Sequence, residues 1–74
     1  MTRKQVEELE FQLNHYSFLK DLNEKLGHDE DSKMNFDKMN ALMLAAETLG
    51  YETHFKYFDK KNGVDYQYYK LVKA

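Results

Sequence analysis

Residues 54–72 read HFKYFDKKNGVDYQYYKLV. Asn62-Gly63 lies between two runs rich in aromatic and β-branched residues, and an Asn-Gly pair so placed is the strongest short-range signal for a hairpin. The reason is steric. The tight turn that matches the twist of its strands needs positive φ at both central residues, which Asn tolerates and Gly adopts freely. The pattern predicts strands over 52–59 and 64–72. With a two-residue turn, Lys61 faces Val64 and the pairs follow outward. Phe55, Tyr57, Val64, Tyr66, Tyr68 and Val72 then share one face, while His54, Lys56, Phe58, Tyr69 and Leu71 share the other. A one-residue bulge would reshuffle these groups and still leave aromatics on both faces. A lone two-stranded ribbon is not stable in water, so one face must pack on the rest of the chain. The other has no evident structural occupant.

Upstream of the hairpin the apolar residues recur at helical spacing. Thr2-Arg3-Lys4-Gln5 reads as a capping box, with Met1 and Val6 placed to form the accompanying hydrophobic staple. A helix over about 3–26 follows, stopped by Gly27. Val6, Leu9, Leu13 and Tyr16 form one stripe on it. Phe11, Phe18, Leu22 and Leu26, with Leu19 beside them, form a second on nearly the opposite side. Either the helix breaks near Asn14–Ser17, with Ser17 capping a second helix, or one long helix buries both sides. The absence of Gly and Pro at the proposed break favours the unbroken helix. Gly27–Ser32 reads as a polar loop. A second helix is expected over about 35–49, capped by Ser32 or Asn35, with Phe36, Met39, Leu42, Met43, Ala46 and Leu49 on its apolar face and Gly50 at its C-terminus. The expected fold is a small single α+β domain over 1–74, in the order α-α-β-β, with its helices packed on a C-terminal two-stranded antiparallel hairpin.

A chain of 74 residues hides only about 60% of its unfolded surface, and a net stability of roughly 3–5 kcal/mol is expected. There is no cysteine to form a disulfide, which fits a cytoplasmic location. No apolar run is long enough to span a membrane, and the N-terminal stretch is too polar for a signal peptide. The net charge of −2 divides unevenly: residues 1–51 carry 6 Lys/Arg and 10 Asp/Glu, and residues 52–74 carry 5 Lys and 3 Asp/Glu. The tail is mildly basic, well short of the strongly basic stripe that marks a nucleic-acid binder.

Reactive chemistry finds little support. Counted from Asp29 as a calcium loop, the positions that need an oxygen ligand, a glycine and a terminal glutamate hold Lys33, Met34 and Asn40. His15, His28 and His54 lack the spacing of metal ligands, and no nucleophile motif or phosphate-cradling glycine loop is present. No catalytic residue, cofactor or metal site is assigned. The Met-rich stretch of Met34, Met39 and Met43, with Leu42 and Leu44, reads as core at helical spacing rather than as a binding groove.

The hairpin aromatics remain, because 6 of the 11 Phe and Tyr residues fall within 54–72. Tyrosine offers a large, rigid contact area at low entropic cost. The first reading is therefore a non-enzymatic protein-interaction module, an inhibitor or adaptor of the kind phages and mobile elements encode. Tyr57, Tyr66, Tyr68, Phe58, Tyr69 and Lys56 are its candidate partner-binding residues, and replacing Tyr66 and Tyr68 with Ala is expected to weaken binding while the fold survives. A homodimer through the second stripe of the first helix is a further expectation. The alternative is a nucleic-acid-binding regulator using Lys60, Lys61 and Lys70. If the first helix breaks, three helices precede the hairpin, an order that resembles a winged helix at the level of topology. The resemblance would make Lys60 and Lys61 a phosphate-touching wing. It would also place the helix over 36–49 in the groove, although that helix carries one lysine and two acids.

Overall fold

The computed structural model describes residues 1–74 and has the expected α-α-β-β order. Helix α1 runs unbroken over Arg3–Lys25. Its capping box is formed: the Gln5 N–H donates to Thr2 Oγ1 at 3.2 Å and the Thr2 N–H donates to Gln5 Oε1 at 2.9 Å. At the other end Gly27 takes φ 77°, which lets the His28 N–H reach back to the Asn23 carbonyl at 2.8 Å and the Gly27 N–H reach that of Glu24 at 3.1 Å. Because α1 does not break, two helices precede the hairpin, and the three-helix order of a winged helix is not formed.

Helix α2 spans Asp29–Thr48 and so begins well before Asn35. Of the polar stretch expected as a loop, Gly27 and His28 stay outside the helix and Asp29–Ser32 form its first turn. Asp29, Glu30 and Asp31 sit there, where carboxylates favourably meet the positive end of the helix dipole. Neither expected cap acts as one. Ser32 Oγ donates to the Lys20 carbonyl of α1 at 2.9 Å, and Asn35 Nδ2 donates to the Asp31 carbonyl at 2.8 Å. Within the expected apolar face, Met39 and Ala46 are buried and Leu42 and Met43 partly so, but Phe36 and Leu49 stay exposed. Of the Met-rich stretch, Met34 and Leu44 also face solvent.

Strands β1 (Tyr51–Lys61) and β2 (Val64–Lys73) form the antiparallel hairpin. Asn62 and Gly63 have φ 51° and 75°, as their turn requires. Lys61 pairs with Val64 as expected, and the pairs follow regularly to Tyr57 and Tyr68. Lys56 is then an extra residue in a bulge, and pairing resumes with Phe55 opposite Tyr69. This moves Phe55 off the face of Tyr57 and onto that of Phe58 and Tyr69.

Helix α1 lies along the free edge of β2 rather than flat on a sheet face. Asn14 answers both outward backbone groups of Tyr69: its Oδ1 accepts from the N–H at 2.7 Å and its Nδ2 donates to the carbonyl at 2.9 Å. Ser17 Oγ donates to the Gln67 carbonyl at 2.6 Å, and Glu10 Oε2 accepts from the Leu71 N–H at 3.1 Å. One helical turn rises about 5.4 Å and two strand residues about 6.6–6.8 Å. A polar stripe at one residue per turn therefore meets every second residue of a strand edge, and the longer Glu10 side chain takes up the mismatch.

This placement accounts for the two apolar stripes of α1 and for aromatics on both faces of the hairpin. The polar seam of Glu10, Asn14 and Ser17 divides the stripes. On one side Leu13, with Val6, Leu9 and Tyr16 around it, packs with Met39 and Ala46 of α2 and Leu71 of β2. On the other side Phe18, with Leu19 and Leu22, packs on Val64 and Tyr66 from the opposite sheet face. A helix on the edge reaches both faces. The second stripe, expected to need a homodimer, thus buries Phe18 and covers part of Leu22 within the chain, leaving Phe11 and Leu26 exposed.

Candidate functional site

The expected binding residues separate into an interior member and two surface groups. Tyr66 is interior, at 8% exposure. Its ring meets Phe18 edge-on at 5.5 Å, and its hydroxyl donates to Asp59 Oδ2 at 3.0 Å. Burial first, and the Asp59 carboxylate second, push its pKa up to about 12. Replacing it with Ala would remove core, so the expectation that a Tyr66 and Tyr68 double variant keeps its fold is corrected for Tyr66. The reason is the edge position of α1, which covers this end of the face that carries Val64 and Tyr66.

Tyr57 and Tyr68 form the first surface group. They pair across the strands with rings stacked at 5.0 Å. Tyr57 is exposed and Tyr68 half-buried, and desolvation raises the Tyr68 pKa. Beside them a groove between α1 and β2 is walled by Phe11, Phe18, Tyr66 and Tyr68. Phe11, at 70% exposure, stands at its rim with its ring parallel to that of His15, 6.3 Å away.

The second group lies on the opposite face. Phe58 and Phe55 are 66% and 50% exposed, with ring centroids 5.1 Å apart and edge-on. Tyr69 stands 6.2 Å from Phe55, also edge-on, and its hydroxyl donates to Gln67 Oε1. Burial raises the Tyr69 pKa. This trio exists because of the bulge at Lys56, which itself is exposed. Phe55 was not among the expected binding residues. A register that pairs Lys56 puts it on the other face, and with Lys56 left out of the pairing it falls beside Phe58.

The lysines do not form one basic strip. The Lys61 ammonium lies over the Phe18 ring at 5.0 Å, and Lys70 Nζ sits 3.9 Å from Glu10 Oε1. Lys60 is exposed beside the turn and Lys56 at the bulge. No three His, Cys, Asp or Glu side chains gather as metal ligands. No helix is long and apolar enough to cross a membrane. Asn14 and Ser17, which hold the hairpin to α1, also escaped the sequence reading. Their signal was a one-residue-per-turn polar line between two apolar stripes. Comparison of the chain with protein-family models, curated proteins and solved structures gives no match.

Proposed function

We propose that this chain is a small non-enzymatic protein-interaction module, an inhibitor or adaptor, that binds another protein through the aromatic face of Phe55, Phe58 and Tyr69. One observation carries the reading: two phenylalanines, each at least half exposed, touch each other on the sheet face whose far end, at Leu71, packs on α2. Leaving that much aromatic surface in water is unfavourable by about 25 cal/mol per Å², and a monomer gains nothing from it. Phe55 meets Phe58 and Tyr69 edge-on, so the three rings offer one contiguous aromatic surface. Apolar, with Lys56, Lys60 and Gln67 nearby in the strands, the patch has the composition of an interaction hot spot.

The test is nuclease-treated capture from lysate of the source organism, using three baits: the wild type, Phe58→Ala, and Leu44→Ala on the exposed side of α2. A protein held by the wild type and by Leu44→Ala but lost from Phe58→Ala is the expected result. Calorimetry with that protein should then show a weakening of about 2–4 kcal/mol for Phe58→Ala. Equal retention by all three baits, or capture of nucleic acid alone when nuclease is omitted, overturns the reading.

A further inference from the structure

The hairpin has two outer edges, and the chain closes only one of them. Along β2 the outward N–H and C=O groups of Gln67, Tyr69 and Leu71 are answered by Ser17, Asn14 and Glu10 of α1. Residues directly opposite one another in an antiparallel pair aim their backbone groups alike, either at each other or away. Thr53, Phe55 and Phe58, which pair with Leu71, Tyr69 and Gln67, therefore aim theirs outward from β1. By alternation so does Lys60. No other element donates to or accepts from this edge; its one satisfied donor is the Lys60 N–H, which binds Asp59 Oδ1 at 2.8 Å.

We infer that β1 pairs antiparallel with β1 of a second copy of this chain, giving a four-stranded sheet in the order β2-β1-β1-β2. The register follows from the positions of the outward groups. The bulge spaces them as Thr53 and Phe55 on one side of Lys56 and Phe58 and Lys60 on the other. An antiparallel partner must set outward residue against outward residue. The arrangement that does so along the whole strand pairs Phe55 with the second copy's Phe58, and Thr53 with its Lys60. The two-fold axis then passes between Lys56 and Tyr57.

The side chains agree with this register, although the backbone alone selected it. Glu52 falls opposite the second copy's Lys61, and His54 opposite its Asp59. Each pair shares one face, and each occurs twice around the axis. Phe55 and Phe58 meet on the other face, so the bulge that groups them within a chain also matches them between chains. In the dimer no open edge remains, because the helix α1 of each copy closes the far side. A bulge and several lysines on an edge strand are also devices that discourage pairing. Here Glu52 and the second copy's Lys61 fall into register, which a purely protective edge has no need to arrange. The inference concerns the backbone edge and stands whether or not the aromatic face has a further partner.

Sedimentation equilibrium of the wild type over a wide concentration range is the first test, and a reversible dimer of the 8.9 kDa chain is expected. Glu52→Lys and Lys61→Glu should each weaken it by roughly tenfold, since each sets like charges opposite one another twice. Mixing the two single variants should restore association, because every facing pair is then opposite in sign. Circular dichroism checks that each variant is folded. A second measurement needs no variant: in a mixture of labelled and unlabelled wild type, isotope-filtered spectra should show contacts between Phe55 of one copy and Phe58 of the other. A monomer at all concentrations, or a dimer indifferent to both reversals and lacking those contacts, overturns the inference. A monomer leaves the capture test to stand by itself, and a dimer is told apart from it because the captured protein would then be a second copy of this chain.

Discussion

Asn14 is the residue on which the attachment of the hairpin to the first helix most depends. Its amide satisfies an N–H and a C=O that face each other across no strand, and it is itself buried. Asn14→Ala leaves both backbone groups of Tyr69 buried without partners, at about 1–3 kcal/mol each. Urea denaturation should show a loss of about 2–4 kcal/mol, most of what a domain of this size has. Asn14→Asp should not rescue it, since a carboxylate can accept from the N–H but only repels the carbonyl. Tyr66 makes the second residue-scale prediction. Unfolded phenols lose their proton near pH 10.0, whereas folded Tyr66 holds its own to about 12. In that window the native state binds more protons than the unfolded state, so stability falls as pH rises through it. Tyr66→Phe should be slightly less stable near neutrality, by about 1 kcal/mol for the lost Asp59 bond, and should show a shallower alkaline decline in its urea midpoint. None of this was legible at the residue scale from sequence. Tyr66 and Phe58 look equally eligible for a surface, and which one is buried depends on where a helix elsewhere in the chain comes to rest.

The elements themselves were far more legible, and the reason is that their signals are local. Thr2 with Gln5, Gly27, Gly50 and Asn62-Gly63 each act within a few residues, and each does what its chemistry demands. The start of α2 was missed because Ser32 and Asn35 look like caps. Their side chains bond to Lys20 and Asp31 instead, while three carboxylates support the earlier turn. The bulge was foreseeable as a possibility but not in position, since nothing in the strand alone says which residue is extra. That residue is Lys56, and its role can be tested by deleting it. Without it Phe55 directly precedes Tyr57, so Phe55 should remain opposite Tyr69 with every other pair intact. The deleted chain should keep its far-ultraviolet circular dichroism and a Phe55–Tyr69 contact by NMR. Loss of that contact would mean that the bulge, rather than the turn, sets the register of the outer half of the hairpin.

At the scale of the molecule the core is thin, with seven buried hydrophobic residues divided between two clusters of four and three on either side of the polar seam. Leu13, at the centre of the larger cluster, is 1% exposed. Leu13→Ala should cost about 2–5 kcal/mol, comparable with the whole stability, and leave the chain largely unfolded at room temperature. Phe58→Ala should leave thermal unfolding almost unchanged, which is what qualifies it as a probe of binding. The seam has one more consequence. Its bonds join residues 50, 55 and 61 positions apart. A ribosome adds roughly 5–20 residues per second, so α1 waits several seconds after synthesis before the strand it belongs to exists. Through that interval Leu13 and Phe18 have only their own helix and the growing α2 for shelter. The nascent chain is then most open to chaperones, to proteases and to the same segment on a neighbouring ribosome.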